Sequence, residues 1–179
     1  VIECRDGVRV VHRGPTLPAA ALANDFYVDA LARTTESDRA AQTGDRFAQA
    51  ARRARDFAAS THGDPVAYAF ATLAEVAQKP GLGNAVTGFA PPVATQWSIV
   101  YELDRLRVHF RTTAAPAIKM LTLDDLDFSC VAPVLMLDLH EPAEGDATAL
   151  LKPYARDANL ALIRETFAQT GFLRGLPEV

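Results

Sequence analysis

At 179 residues, 49% of them hydrophobic and with a net charge of −4, the chain is long enough to bury a core and carries no basic footprint for nucleic acid or an anionic membrane surface. No stretch approaches the roughly 18 to 20 consecutive apolar residues of a membrane span, and the opening "VIECRDGVRV" is not a cationic segment leading into an apolar one; localisation, periplasmic, secreted or cytoplasmic, stays open. Cys4 and Cys130 lie far apart without metal-type spacing, and His12, His62, His109 and His140 are scattered, so no metal or cofactor is expected and both thiols read as buried small hydrophobes.

In chain order, "VIECRDGVRVVHRG" predicts two short strands joined at Arg5, Asp6 and Gly7, because β-branched residues flank a dipeptide that tolerates positive φ. "GPTLP" interrupts the pattern, and a short helix is expected around Phe26 to Ala32. From Asp45, the apolar residues Phe47, Ala50, Ala51, Ala54 and Phe57 recur at helical spacing, leaving Arg52, Arg53, Arg55 and Asp56 for a solvated face. Asp64 and Pro65 supply a cap and a first-turn proline for a second helix, whose stripe is Val66, Phe70, Leu73 and Ala77.

"TQWSIVYELDRLRVHFRT" alternates as a hairpin, with Trp97, Ile99, Tyr101 and Leu103 on one face and Gln96, Ser98, Val100 and Glu102 on the other. The first face is the apolar one and is expected to pack. "AIKMLTL" and "VLMLDLH" read as further strands, the second apolar enough to be covered on both faces. Helical spacing at Leu160, Ile163 and Phe167 closes the chain. The whole, residues 1–179, is expected to be a single α+β domain with helices packed on a largely antiparallel sheet.

The familiar catalytic signatures GxSxG, HExxH and CxxC, and a glycine-rich phosphate loop, are not in the sequence. Polar residues set in apolar context are Asn24, Arg46 and Gln96. Buried, such groups need partners, which a catalytic site supplies; capping is the competing explanation, with Asn24 ending a strand and Arg46 exposed on a first helical turn. Phe26 and Tyr27, with Phe89 and Trp97, are candidates for an acyl pocket or for core.

Beyond these readings, the sequence resembles the choloylglycine hydrolase and penicillin V acylase family of linear amide C–N hydrolases. "VIECRDGVRVVHRG" is similar to the family's strand pair, and "LANDFYVD" to its "LTNSPTFD", with Asn24 and Asp29 keeping their separation. "GDRFAQAA" resembles a "DRFARAA" helix start, with Arg46 and Phe47 in place, and "TQWSIVYELDRLRVHFRT" resembles "TQWTVVYDLKNKKIYFRT", followed by "DFSC". The matches cover roughly residues 1 to 130. Gln49 stands where the family has a second arginine, and "NDF" replaces "NSP" after the strand.

The resemblance implies part of a four-layer αββα sandwich of the N-terminal nucleophile type, and hydrolysis through an amino-terminal cysteine freed by autoproteolysis. That cysteine's α-amine, with an ordinary pKa near about 8, can accept the thiol proton without a histidine. Asn24 would then stabilise the oxyanion, Arg46 would favour the thiolate, and Phe26 and Tyr27 would contact a small acyl-amide substrate. The nucleophile itself would precede Val1 by well over a hundred residues, so a partner is implied: an N-terminal segment or subunit that carries it. Homo-oligomerisation is compatible with this. An acyltransferase of the same fold and a noncatalytic binding module without the nucleophile are the alternatives.

Overall fold

The computed structural model describes residues 1–14, 17–23, 26–36, 45–59, 63–79 and 94–170. Asn24, His62 and Phe89 lie outside the described residues.

Strands β1 (Ile2–Arg5) and β2 (Val8–Val11) form the expected antiparallel hairpin, in register from Ile2 opposite Val11 to Arg5 opposite Val8. Asp6 and Gly7 have φ of 49° and 76°, the two left-handed residues of a tight hairpin turn whose twist matches the strands it joins. Helix α1 (Tyr27–Glu36) follows, then α2 (Arg46–Ala59) and α3 (Pro65–Glu75). The core beside the hairpin is Tyr27, Ala30 and Phe47. Tyr27 is 0% exposed, edge-on to Phe47 at 5.7 Å between ring centroids, with His12 tilted against it at 4.8 Å.

Each helix start has its own answer to the orphan N–H groups of a first turn. The Asp45 Oδ1 accepts from Phe47 N at 2.9 Å and Ala48 N at 3.1 Å, and the Asp64 Oδ1 accepts from Val66 N at 2.9 Å ahead of Pro65. Helix α1 begins after Phe26, whose carbonyl accepts the first helical bond from Ala30 N and whose side chain has no acceptor. Its cap comes from β1: Tyr27 N–H donates to Glu3 Oε1, and Val28 N–H to Glu3 Oε2 at 3.4 Å. Asp29, one turn in, pairs with Arg5 at 2.6 Å, a hydrogen bond that raises the Arg5 pKa above its ordinary value.

Strands β3 (Trp97–Glu102), β4 (Arg107–Thr112) and β5 (Lys119–Thr122) are antiparallel neighbours, and β7 (Gly145–Asp146) runs parallel to β5. The β3–β4 link is a short 3₁₀ turn over Leu103–Arg105, closed by Leu106 at φ 48°. Direct pairing places Trp97, Ile99, Tyr101, Val108, Phe110, Thr112, Lys119 and Leu121 on one face, and Ser98, Val100, Glu102, Arg107, His109 and Arg111 on the other.

Helix α3 lies on the second, more polar face. The Arg111 guanidinium sits 5.0 Å from the centroid of the Phe70 ring and donates to the Phe70 carbonyl. Among the described residues the apolar face is covered only toward β5, where Phe110, Thr112 and Lys119 are buried, His140 Nδ1 is 3.1 Å from Thr112 Oγ1, and Ala147 N–H donates to Met120 O. Toward β3 it is bare: Trp97 is 58% exposed and Tyr101 63%. This corrects the expected packing direction. Alternation identifies two faces, and here the helices took the face with the long polar side chains, whose stems cover apolar surface while their heads find partners.

Three further expectations are revised. "VLMLDLH" contributes only β6 (Leu135–Met136), paired with β8 (Lys152–Pro153), and Val134, Leu135 and Leu139 are exposed; Pro133 before β6 and Pro153 opposite it cut the ladder short. Both cysteines are free but exposed, not buried, Cys4 on the hairpin and Cys130 in the turn between Ser129 and Ala132. Arg53 leaves the solvated face of α2 to stack on Tyr68, with its guanidinium carbon 4.1 Å from the ring centroid and Nε 3.2 Å from Thr72 Oγ1. The last helix, α4 (Arg156–Gln169), has Leu160, Ile163 and Phe167 as its half-buried stripe.

Candidate functional site

An open groove of about 530 Å³ runs beside the N-terminal hairpin. Its walls are Ile2, Glu3 and Cys4 of β1 on one side and Leu22, Ala23 and Phe26 on the other. The strand supplies a straight backbone edge, and the segment before α1 supplies apolar bulk, with Phe26 54% exposed at the helix entry. Glu3 holds the two walls together, since it belongs to β1 and caps α1. A loss of that carboxylate would therefore move the groove wall as well as the helix.

The sequence-derived candidates fall on or around this groove unequally. Phe26 lines it. Ala23 and Phe26 also line it, and Asn24 stands between them in sequence but outside the described residues, so the expected convergence of Asn24 and Arg46 on one cleft falls outside them too. Tyr27 faces the core: its hydroxyl donates to Ala19 O at 2.7 Å and accepts from Ala19 N at 2.9 Å, which fixes the segment leading to the groove. Arg46 is exposed at the start of α2, and its Nε donates to Val76 O at 2.7 Å, tying the first turn of α2 to the end of α3. It is not among the groove's wall residues.

Sequence reasoning passed over two features. By pattern Glu3 is a strand residue, a lone acidic side chain in a β-branched run, which spacing cannot connect to a helix start 24 positions on. The second is a groove of about 640 Å³ between the start of α3 and the β3–β4 link, lined by Asp64, Glu102, Arg105, Arg107 and His109 among others. Glu102 there meets His109 Nε2 at 3.1 Å and Arg105 Nη1 at 2.9 Å. The hydrogen bond to His109, aided by the charge of Arg105, holds the Glu102 carboxyl below its ordinary pKa. Among the described residues no group of three histidine, cysteine or acidic side chains is arranged to hold a metal ion, and no helix is long and apolar enough to cross a membrane.

In chemical terms the first groove offers an apolar wall, a strand edge and an exposed thiol, with the Glu3 carboxylate on the same side.

The α+β fold is similar to that of penicillin V acylase from Agrobacterium tumefaciens, with a TM-score of 0.67 at 22% sequence identity, over 86% of this chain and 52% of that one. The chain thus spans about half the length of that acylase. No protein-family model matches the chain, and no curated protein matches it in sequence.

Proposed function

We propose that this chain is the C-terminal portion of a hydrolase of linear amide C–N bonds, in the choloylglycine hydrolase and penicillin V acylase family, whose nucleophilic cysteine is carried by an N-terminal segment or subunit. The observation that carries the proposal is the fold correspondence, in which 86% of this chain matches 52% of an amide-cleaving acylase. The ordered motifs around Asn24, Arg46 and Trp97 support it from the sequence alone. The chain would contribute a helical layer and sheet strands to a four-layer αββα sandwich, with its helix-free apolar strand faces turned inward.

The proposed chemistry is acyl transfer through sulfur. The α-amine of the terminal cysteine takes the thiol proton, and the thiolate attacks the amide carbonyl carbon to form a C–S bond and an oxyanion. Collapse of that intermediate breaks the C–N bond, and the departing amine takes the proton back from the ammonium. Water, giving its proton to the cysteine α-amine, then adds to the thioester, and the C–S bond breaks to release the acid and a thiolate that takes that proton back. Asn24 is assigned as a neutral donor to the oxyanion and Arg46 as the fixed cation beside the thiolate. The Arg46 Nε bond to Val76 limits where its terminal nitrogens can point. Phe26 is assigned to the acyl side of the substrate.

Co-expression of this chain with a polypeptide bearing a processed N-terminal cysteine, assayed on a panel of acyl amides that includes penicillin V, tests the proposal. Amine release that needs both polypeptides, a thioester adduct on the cysteine by intact mass, and a roughly 10²- to 10³-fold loss of kcat/KM in Asn24→Ala are expected. Substrate binding without amine release would reassign the chain to the noncatalytic class. Capture of the acyl group by an added amine in preference to water would make it an acyltransferase.

A further inference from the structure

His12 is a half-buried imidazole that the proposed chemistry does not use, and it stands beside the carboxylate on which the first groove depends. It lies one residue past β2, opposite Val1, with which it exchanges both backbone hydrogen bonds. That pairing puts its side chain on the same face of the hairpin as Glu3 and Arg5. Its Nε2 is buried without a hydrogen-bond partner among the described residues and lies 3.7 Å from Glu3 Oε2, just beyond hydrogen-bond reach. Its ring rests against Tyr27, the first residue of α1. The Glu3 side chain is only 10% exposed, and its oxygens already accept from the Tyr27 and Val28 amides. A carboxylate offers about four acceptor sites, so two amides leave it free to swing. Arg5, the other cation on that face, is engaged by Asp29.

We infer that His12 is a positioning residue for the acyl side of the groove. It restrains the Glu3 carboxylate, Glu3 holds the first turn of α1, and that turn carries Phe26 on the groove wall. The inference rests on the function proposed above. Any ring of this size fills the space beside Tyr27, but a ring nitrogen is what restrains a carboxylate there. The substrate feature that these contacts read is the size of the apolar acyl group, since Phe26 is the wall they set.

The assembled enzyme, this chain with the cysteine-bearing polypeptide, tests this on an arylacetyl amide and an acetyl amide of the same amine. His12→Phe keeps a ring against Tyr27 and removes the nitrogen. It should raise KM for the arylacetyl amide about tenfold, the low end of the roughly 10- to 200-fold that one methylene's contact in an apolar pocket is worth. Its kcat and its KM for the acetyl amide should not change. His12→Gln, which returns a polar N–H, should recover most of the loss, and Glu3→Gln should raise the same KM without adding to His12→Phe in the double variant. If His12→Phe does not accumulate as folded protein, His12→Leu is read by the same criteria. Equal losses on the two substrates, or unchanged kinetics, would overturn the inference and leave the proposed function standing. A parent complex that releases no amine from either substrate would remove the proposed function and this role with it.

Discussion

Two hairpins of similar length are braced against helices in different ways. The β1–β2 pair is joined to α1 at the helix's first turn, through Glu3, whose carboxylate takes the first N–H groups of a helix 24 residues later, with Arg5 on Asp29 and His12 against Tyr27 beside it. The β3–β4 pair is joined to α3 by a spread of contacts, Arg111 on Phe70 and, beyond the helix end, Gln78 paired with Thr95, while α3 is capped by its own Asp64. One joint includes the helix's own cap and the other does not. The lesson is that a helix capped by a distant strand has its boundary and its docking decided together, whereas a locally capped helix can form first and dock afterwards.

The sharpest way to break that contrast is Glu3→Ala. It removes a charged acceptor from two amides and should destabilise the protein by about 2 to 3 kcal/mol, with hydrogen exchange at Tyr27 and Val28 speeding up most. Asp64→Ala should cost about 1 kcal/mol by chemical denaturation and leave the β3–β4 amides protected, because the distributed contacts remain. Equal losses from the two substitutions would abolish the distinction.

The two turns offer a subtler test. Gly7 has φ 76° with open space around its missing Cβ, so Gly7→Ala pays only for backbone strain, about 1 kcal/mol. Leu106 already bears such strain at φ 48°, and Leu106→Gly should recover part of it, a gain of about 0.5 kcal/mol after the unfolded chain's added freedom is counted. A smaller effect still is expected from pH. The Glu102 carboxyl is held below its ordinary value of 4.5, so its contribution is present above that value and disappears as pH falls through the lower, folded one. Glu102→Gln should therefore be less stable than the parent near neutrality, and the gap between their melting temperatures should close on acidification; a gap that held constant down to pH ~2.5 would rule out the His109 bond as its source.

Local features were legible in the sequence, and long-range ones were not. The Asp6–Gly7 turn, the Asp64–Pro65 start and the Phe47 stripe each follow from residues a few positions apart, and each is present. The Glu3 cap joins residues that no period connects. The hairpin around Trp97 has the expected strands and alternation, yet α3 lies on its more polar face, because a period of two distinguishes faces without saying which one a neighbour will choose. "VLMLDLH" misled for a related reason: apolar content predicts burial only when a full ladder can form, and with prolines at 133 and 153 the β6–β8 ladder is two residue pairs long. Of the candidate residues, Phe26 lies on the groove wall, while Tyr27 belongs to the core, where its ring packs between His12 and Phe47.

Trp97 is the chain's single tryptophan, and it stands on the uncovered face of β3. Its emission therefore reports on one surface and on little else. In the isolated chain the indole is already largely hydrated, so denaturation should change its spectrum weakly even as the fold is lost. Whatever comes to lie over β3 should shift the emission to the blue, which makes the ordinary fluorescence of this protein an optical gauge of what has settled there.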